Sequence, residues 1–86
     1  MSDHNNIRRR LRKIIAIVFE LEESNLPDQP SSQNVSGWDS LGHIGLILQV
    51  EDEFGIRFET EAIPTLFSMD LLADEIERVQ QSQALR

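Results

Sequence analysis

Eighty-six residues with no cysteine, one tryptophan and a formal net charge of −7 describe one small domain. A chain of this size builds a modest core and no deep catalytic cleft, and the missing cysteines exclude disulfides, thiolate metal sites and a cysteine nucleophile. Hydrophobic residues make up 40% and charged residues 27%, so a soluble folded domain is expected, and its acidic balance argues against nucleic acid as a partner.

Charge is divided unevenly along the chain. Residues 1–13 set Asp3 against Arg8, Arg9, Arg10, Arg12 and Lys13, a net of +4, whereas the remainder carries a net of −11. The apolar run Ile14-Ile15-Ala16-Ile17-Val18-Phe19 behind this basic head ends at Glu20. It is too short for a membrane span and lacks the cleavage site of an export signal, so a cytoplasmic chain is expected. Ile7, Leu11, Ile14, Ile15, Val18 and Leu21 share one helical face and predict a first helix over residues 6–23, capped by Asn5 or Asn6. Arginines at a helix N-terminus oppose the macrodipole. They form either a solvated face paired with acidic neighbours or a docking patch for an anionic partner.

Residues 24–38 lose the periodicity and are rich in turn formers, which predicts a long loop pinned to the core by Leu26, Val35 and Trp38. A second helix is predicted over 40–54, with Asp39 as its cap and Gly55 as its stop. Its apolar residues form two adjoining stripes, Leu41-Ile44-Leu48 and Ile47-Val50-Phe54, more than one buried face requires. Part of that surface is therefore expected to stay exposed as a contact site. Ile56 and Phe58 alternate with Arg57 in an extended link. A brief third helix is predicted over 60–67, limited by Pro64, and a fourth starts after Ser68 with Leu72, Ile76 and Val79 inward and Leu71 beside them. The polar residues after Gln80 are expected to fray. The expected fold is all-α, a four-helix bundle of three main helices and one short third helix. It forms a single domain over 1–86 with an ordered core of about 6–80 and loose termini.

Chemistry concentrates at Gly37-Trp38-Asp39-Ser40-Leu41, where the long loop becomes a helix. A group esterified to Ser40 would lie at the helix N-terminus, where free N–H groups and the positive end of the dipole suit a phosphodiester. Asp39 can order the turn and help hold a metal ion accompanying phosphoryl transfer. The competing reading is that Asp39 or Ser40 is simply a helix cap. His43, three residues on, invites a serine–histidine catalytic reading, but a bundle of this size offers no orienting acid, oxyanion hole or pocket. A surface histidine beside the site is the expectation, and no catalytic residue or resident metal site is assigned. His4, in a terminus expected to be loose, has no ligand partners at metal spacing; Met69 reads as core packing and Trp38 as a loop anchor.

The runs Gly37-Trp38-Asp39-Ser40-Leu41-Gly42-His43-Ile44 and Val50-Glu51-Asp52-Glu53-Phe54-Gly55-Ile56 strongly resemble the acyl carrier proteins, with Phe67-Ser68-Met69 opening the last helix in the family's manner. The resemblance extends from the first helix to Val79. It implies a non-enzymatic carrier with a covalent 4′-phosphopantetheine arm on Ser40, donated by coenzyme A through a phosphopantetheinyl transferase. The arm would supply the thiol that this chain lacks and hold an acyl or aminoacyl group as a thioester. Further implied partners are acyl-activating or acyl-transferring enzymes with basic docking patches, and the carrier is expected to be a monomer.

The departures from the family are informative. Fatty-acid carriers are usually acidic at the second and fifth positions after the serine, which here are Gly42 and Gly45. A glycine within a helix costs about 1 kcal/mol relative to alanine, so local fraying, close packing or room for a partner backbone is expected at these two. Leu41, Gly42, His43, Gly45 and Leu48 are then the candidate partner-binding residues beside the arm, with Glu51 and Asp52 as acidic docking positions or as a solvated face. The pattern also lacks the Gly-Gly-His-Ser or Gly-Gly-Asp-Ser run of peptidyl carriers, which points to a stand-alone carrier of a specialised fatty-acid, polyketide or other pathway. The alternative is a helical interaction module that binds a basic partner without a prosthetic group.

Overall fold

The computed structural model describes residues 3–84, with side chains from 5 to 82. Three α-helices, α1 (Asp3–Val18), α2 (Ser40–Phe54) and α3 (Met69–Ala84), pack around one core. α1 is the central element: it packs against both other helices, whereas α2 and α3 meet only marginally. None of the helices among the described residues is long and apolar enough to cross a membrane.

Ile7, Leu11, Ile14 and Ile15 of α1 are buried, as their spacing predicts. The bounds differ from the expectation of 6–23. Asn5 and Asn6 lie inside the helix rather than capping it, and His4, expected in a loose terminus, is on the helical backbone. At the other end the chain turns at Glu20, whose φ of 57° is left-handed. Leu21 N–H donates to Ala16 O at 2.8 Å and Glu20 N–H to Ile17 O at 3.3 Å, the paired bonds of a Schellman stop. Leu21 therefore leaves the helical face and is partly exposed.

α2 runs between its predicted cap and stop. Asp39 is extended and accepts from Gly42 N–H, and Gly55 closes the helix at φ 64°. Its inner face is His43, Leu46, Ile47 and Val50, which adds Leu46 and His43 to the stripe read from sequence. Ile56 and Phe58 are buried on either side of exposed Arg57, as the alternation predicts.

The predicted short helix over 60–67 is a single 3₁₀ turn, Ile63–Thr65, preceded by a turn in which Ala62 N–H donates to Glu59 O. Pro64 stands in its first turn, and Thr65 and Leu66 donate three residues back rather than four. The described chain therefore has three α-helices and not the four expected; a second 3₁₀ turn, Glu23–Asn25, follows α1. α3 continues to Ala84, beyond the predicted fraying point, and Ser68 Oγ accepts from Leu71 N–H at its start.

The long loop is fastened at several points. Leu26, Pro30, Val35 and Trp38 are buried. Met69 N–H donates to Pro30 O, and Ser31 and Ser68 form an isolated bridge. Arg12 caps the loop's carbonyls, donating from Nη1 to Pro27 O at 2.9 Å and from Nη2 to Glu23 O at 3.3 Å. Two more arginines of the basic head also have partners on other helices. Arg8 pairs with Asp70 of α3, and Arg10 donates to the carbonyl and carboxylate of Glu53 while its guanidinium lies 4.1 Å from the Phe54 ring centroid. A cation on the last carbonyls of α2 also complements that helix's negative end. The pairing reading accounts for Arg8 and Arg10, whereas Arg12 is held by backbone carbonyls and not by an acidic side chain; Arg9 and Lys13 are exposed.

Candidate functional site around Ser40

Ser40 is exposed and is the first residue of α2. Asp39 Oδ1 accepts from Gly42 N–H at 2.9 Å, and Asp39 O takes the first helical bond, from His43 N–H at 2.7 Å. The N–H groups of Ser40 and Leu41 have no acceptor within the helix. The exposed hydroxyl thus stands beside the positive end of a capped helix. That setting stabilises an anion joined to Oγ, and the position fits a covalent group that extends into solvent.

The surface beside Ser40 is apolar. Leu41 is 81% exposed, Ile44 55% and Leu48 61%, a stripe that follows one side of α2. This is the exposed stripe that the surplus of apolar residues predicts. Ile44 belongs with Leu41 and Leu48 as a contact candidate, and its signal was the three- and four-residue spacing. Leu71, 48% exposed at the start of α3, is a further exposed apolar side chain.

The two glycines differ. Gly45 is open, and a Cβ there would meet nothing within 4 Å. Gly42 is packed against Gly37 and Phe19, so it is close packing, not room for a partner, that requires a glycine at this position. Gly37 itself has φ 93°, a conformation that suits glycine.

His43 is the main correction. It was expected at the surface, and it is buried at 2% exposure. Trp38 Nε1–H donates to His43 Nδ1 at 2.9 Å, His43 Nε2 lies 2.9 Å from Ile63 O, and the ring stacks on Phe67 with centroids 3.8 Å apart. Burial lowers its pKa from the ordinary value, against the opposing effect of the Ile63 carbonyl. It is remote from any role as a partner contact. The loop anchors and core residues fall as expected, with Trp38 and Met69 buried.

Of the two acidic docking candidates, Asp52 is exposed. Glu51 is half-buried, and its Oε2 accepts from Phe58 N–H at 2.9 Å, which holds the extended link against the end of α2. Its carboxylate therefore serves the fold as well as the surface charge. No group of three His, Asp or Glu able to hold a metal ion occurs among the described residues. No protein-family model matches the chain.

Proposed function

We propose that this chain is a carrier protein, modified on Ser40 by 4′-phosphopantetheine, that holds an acyl or aminoacyl group for the enzymes of a specialised biosynthetic pathway in the cytoplasm. The observation that carries the reading is the exposed Ser40 hydroxyl at the first turn of a capped helix, beside the apolar stripe Leu41-Ile44-Leu48. In the modification, Ser40 Oγ forms a bond to the pantetheine-side phosphorus of coenzyme A. The phosphoanhydride bond breaks, adenosine 3′,5′-bisphosphate leaves, and the hydroxyl proton passes to a base on the transferase. The bound group supplies a thiol for thioester exchange. The helix N-terminus then stabilises the phosphodiester charge, and Asp39 holds the first turn with Oδ1. Asp39 would also be the residue of this chain to face a metal ion bound by the transferase, which would neutralise charge during the phosphoryl transfer. The apolar stripe and exposed Asp52 meet partner enzymes with apolar contacts inside a basic rim.

Incubation with coenzyme A and a broad-specificity phosphopantetheinyl transferase tests this. Intact mass should rise by one phosphopantetheine, and Ser40→Ala should abolish the rise. If the chain stays unmodified while a control carrier is loaded, the apolar stripe belongs instead to a non-covalent interaction module.

A further inference from the structure

Four aromatic rings form a near-parallel row from the end of α1 to the start of α3. Phe19 and Trp38 have centroids 5.7 Å apart, Trp38 and His43 6.2 Å, and His43 and Phe67 3.8 Å, with interplanar angles between 17° and 22°. Within this row the protonation state of His43 follows from its partners. An indole N–H can only donate, so Nδ1 must be the bare acceptor. The single proton of a neutral ring then lies on Nε2, which donates to Ile63 O. One side chain thereby connects three segments: the loop residue two before Ser40, helix α2, and the 3₁₀ turn before α3.

We propose that neutral His43 is a positioning latch for the Ser40 end of the loop, and that protonating the ring releases Trp38 while leaving the rest of the ring's contacts in place. A proton on Nδ1 sets two donors, Nδ1–H and the indole N–H, against each other, so that bond is lost. The Nε2–H bond to Ile63 O survives, because an imidazolium donates from both nitrogens. The Phe67 face also tolerates the cation. The change is therefore confined to the Trp38 side, where Gly37, Trp38 and Asp39 lead directly into Ser40.

The groups around the ring make it an unaided titration site. Its own contacts are Trp38, Phe67 and a backbone carbonyl, none of them charged. The charged residues that flank the ring row and the Ile63 carbonyl in sequence are Glu20 after α1, Asp39 in the loop, Glu59 and Glu61 before the 3₁₀ turn, and Asp70 in α3. Glu20, Asp39, Glu59 and Glu61 are exposed, Asp39 Oδ1 holds Gly42 N–H, and Asp70 pairs with Arg8. Burial lowers the ring's pKa, so the latch is closed at neutral pH and opens on acidification.

The positioning role for loading rests on the carrier reading, but the latch can be measured without it. Trp38 is the only tryptophan, so a ¹⁵N-labelled full chain gives a single indole N–H resonance. It is followed through a pH titration beside the His43 ring signals, in a His4→Gln background that leaves one histidine to assign. The indole peak should move upfield with the same midpoint as the His43 ring, while far-UV circular dichroism stays helical. His43→Asn, whose Oδ1 can accept from the indole but takes no proton, should abolish that transition. His43→Phe, which stacks without an acceptor, should place the indole upfield at every pH and slow Ser40 modification at neutral pH. An indole resonance that ignores the His43 midpoint, or that still titrates in His43→Asn, overturns the latch. Should either variant fail to fold, the coincidence of midpoints in the otherwise unaltered chain decides. Failure of the transferase to load any form of the protein would sink the carrier reading and leave the indole titration standing.

Discussion

Gly42 lies so close to Gly37 that a Cβ on Gly42 would stand 2.2 Å from the Gly37 carbonyl oxygen and 2.8 Å from Phe19 Cε1. The nearer obstacle is backbone and cannot rotate away. Gly42→Ala should therefore destabilise by about 1–3 kcal/mol despite its better helix propensity. Gly45→Ala, with nothing within 4 Å, should stabilise by up to about 1 kcal/mol. Urea denaturation followed by circular dichroism reads both, and shifts of the same sign would contradict the distinction drawn between them.

Stability should depend on His43. Its pKa is lowered in the folded protein from 6.5, so as pH falls the unfolded chain takes up a proton first. The contribution is fully present above the folded and unfolded pKa values. It is lost as pH falls below about 6.5 and stops declining once the folded ring is also protonated. The slope cannot exceed about 1.4 kcal/mol per pH unit for one proton. Denaturation midpoints across that range should fall more steeply for the wild type than for His43→Asn.

Arg12 and Arg9 should part company although they are near neighbours in α1. Arg12 donates to several loop carbonyls, the shortest at 2.9 Å to Pro27 O. Arg12→Ala should cost about 1–3 kcal/mol and speed proteolytic cleavage within residues 24–39. Arg9 is exposed, and Arg9→Ala should stay within about 0.5 kcal/mol of the wild type.

The apolar stripe on α2 can be tested apart from stability. Leu41→Gln and Leu48→Gln alter side chains that are 81% and 61% exposed, so the thermal midpoint should hardly move. If the stripe meets partners, the same variants should raise KM for transferase loading with kcat kept. Unchanged loading kinetics would remove Leu41 and Leu48 from the contact surface.

Much of the scaffold was legible because its signals are local. Asp39 and Gly55 bracket α2, and both ends fall where those residues place them. The end of α1 was not legible, because its left-handed stop uses Glu20 rather than glycine and so leaves no mark in composition. The four-helix expectation failed at Pro64, where the chain takes one 3₁₀ turn. Around Ser40, exposure and capping could be read from the loop-to-helix transition. The burial of His43 could not, since it depends on Trp38, Ile63 and Phe67, and two of these are distant in sequence. Gly42 and Gly45 look alike in sequence, and only the nearby Gly37 carbonyl separates them.

The central place of α1 bears on how the chain is made. α1 leaves the ribosome before α2 and α3 yet packs against both, while α2 and α3 hardly touch. α1 and α2 can collapse early, but their shared core stays open along the side that Leu72, Ala73 and Ile76 later cover. Closing that gap joins helices at opposite ends of the described residues, so completion of this core waits on release of α3. Until α3 emerges, the inner leucines and isoleucines of α1 and α2 lack the cover that Leu72, Ala73 and Ile76 provide.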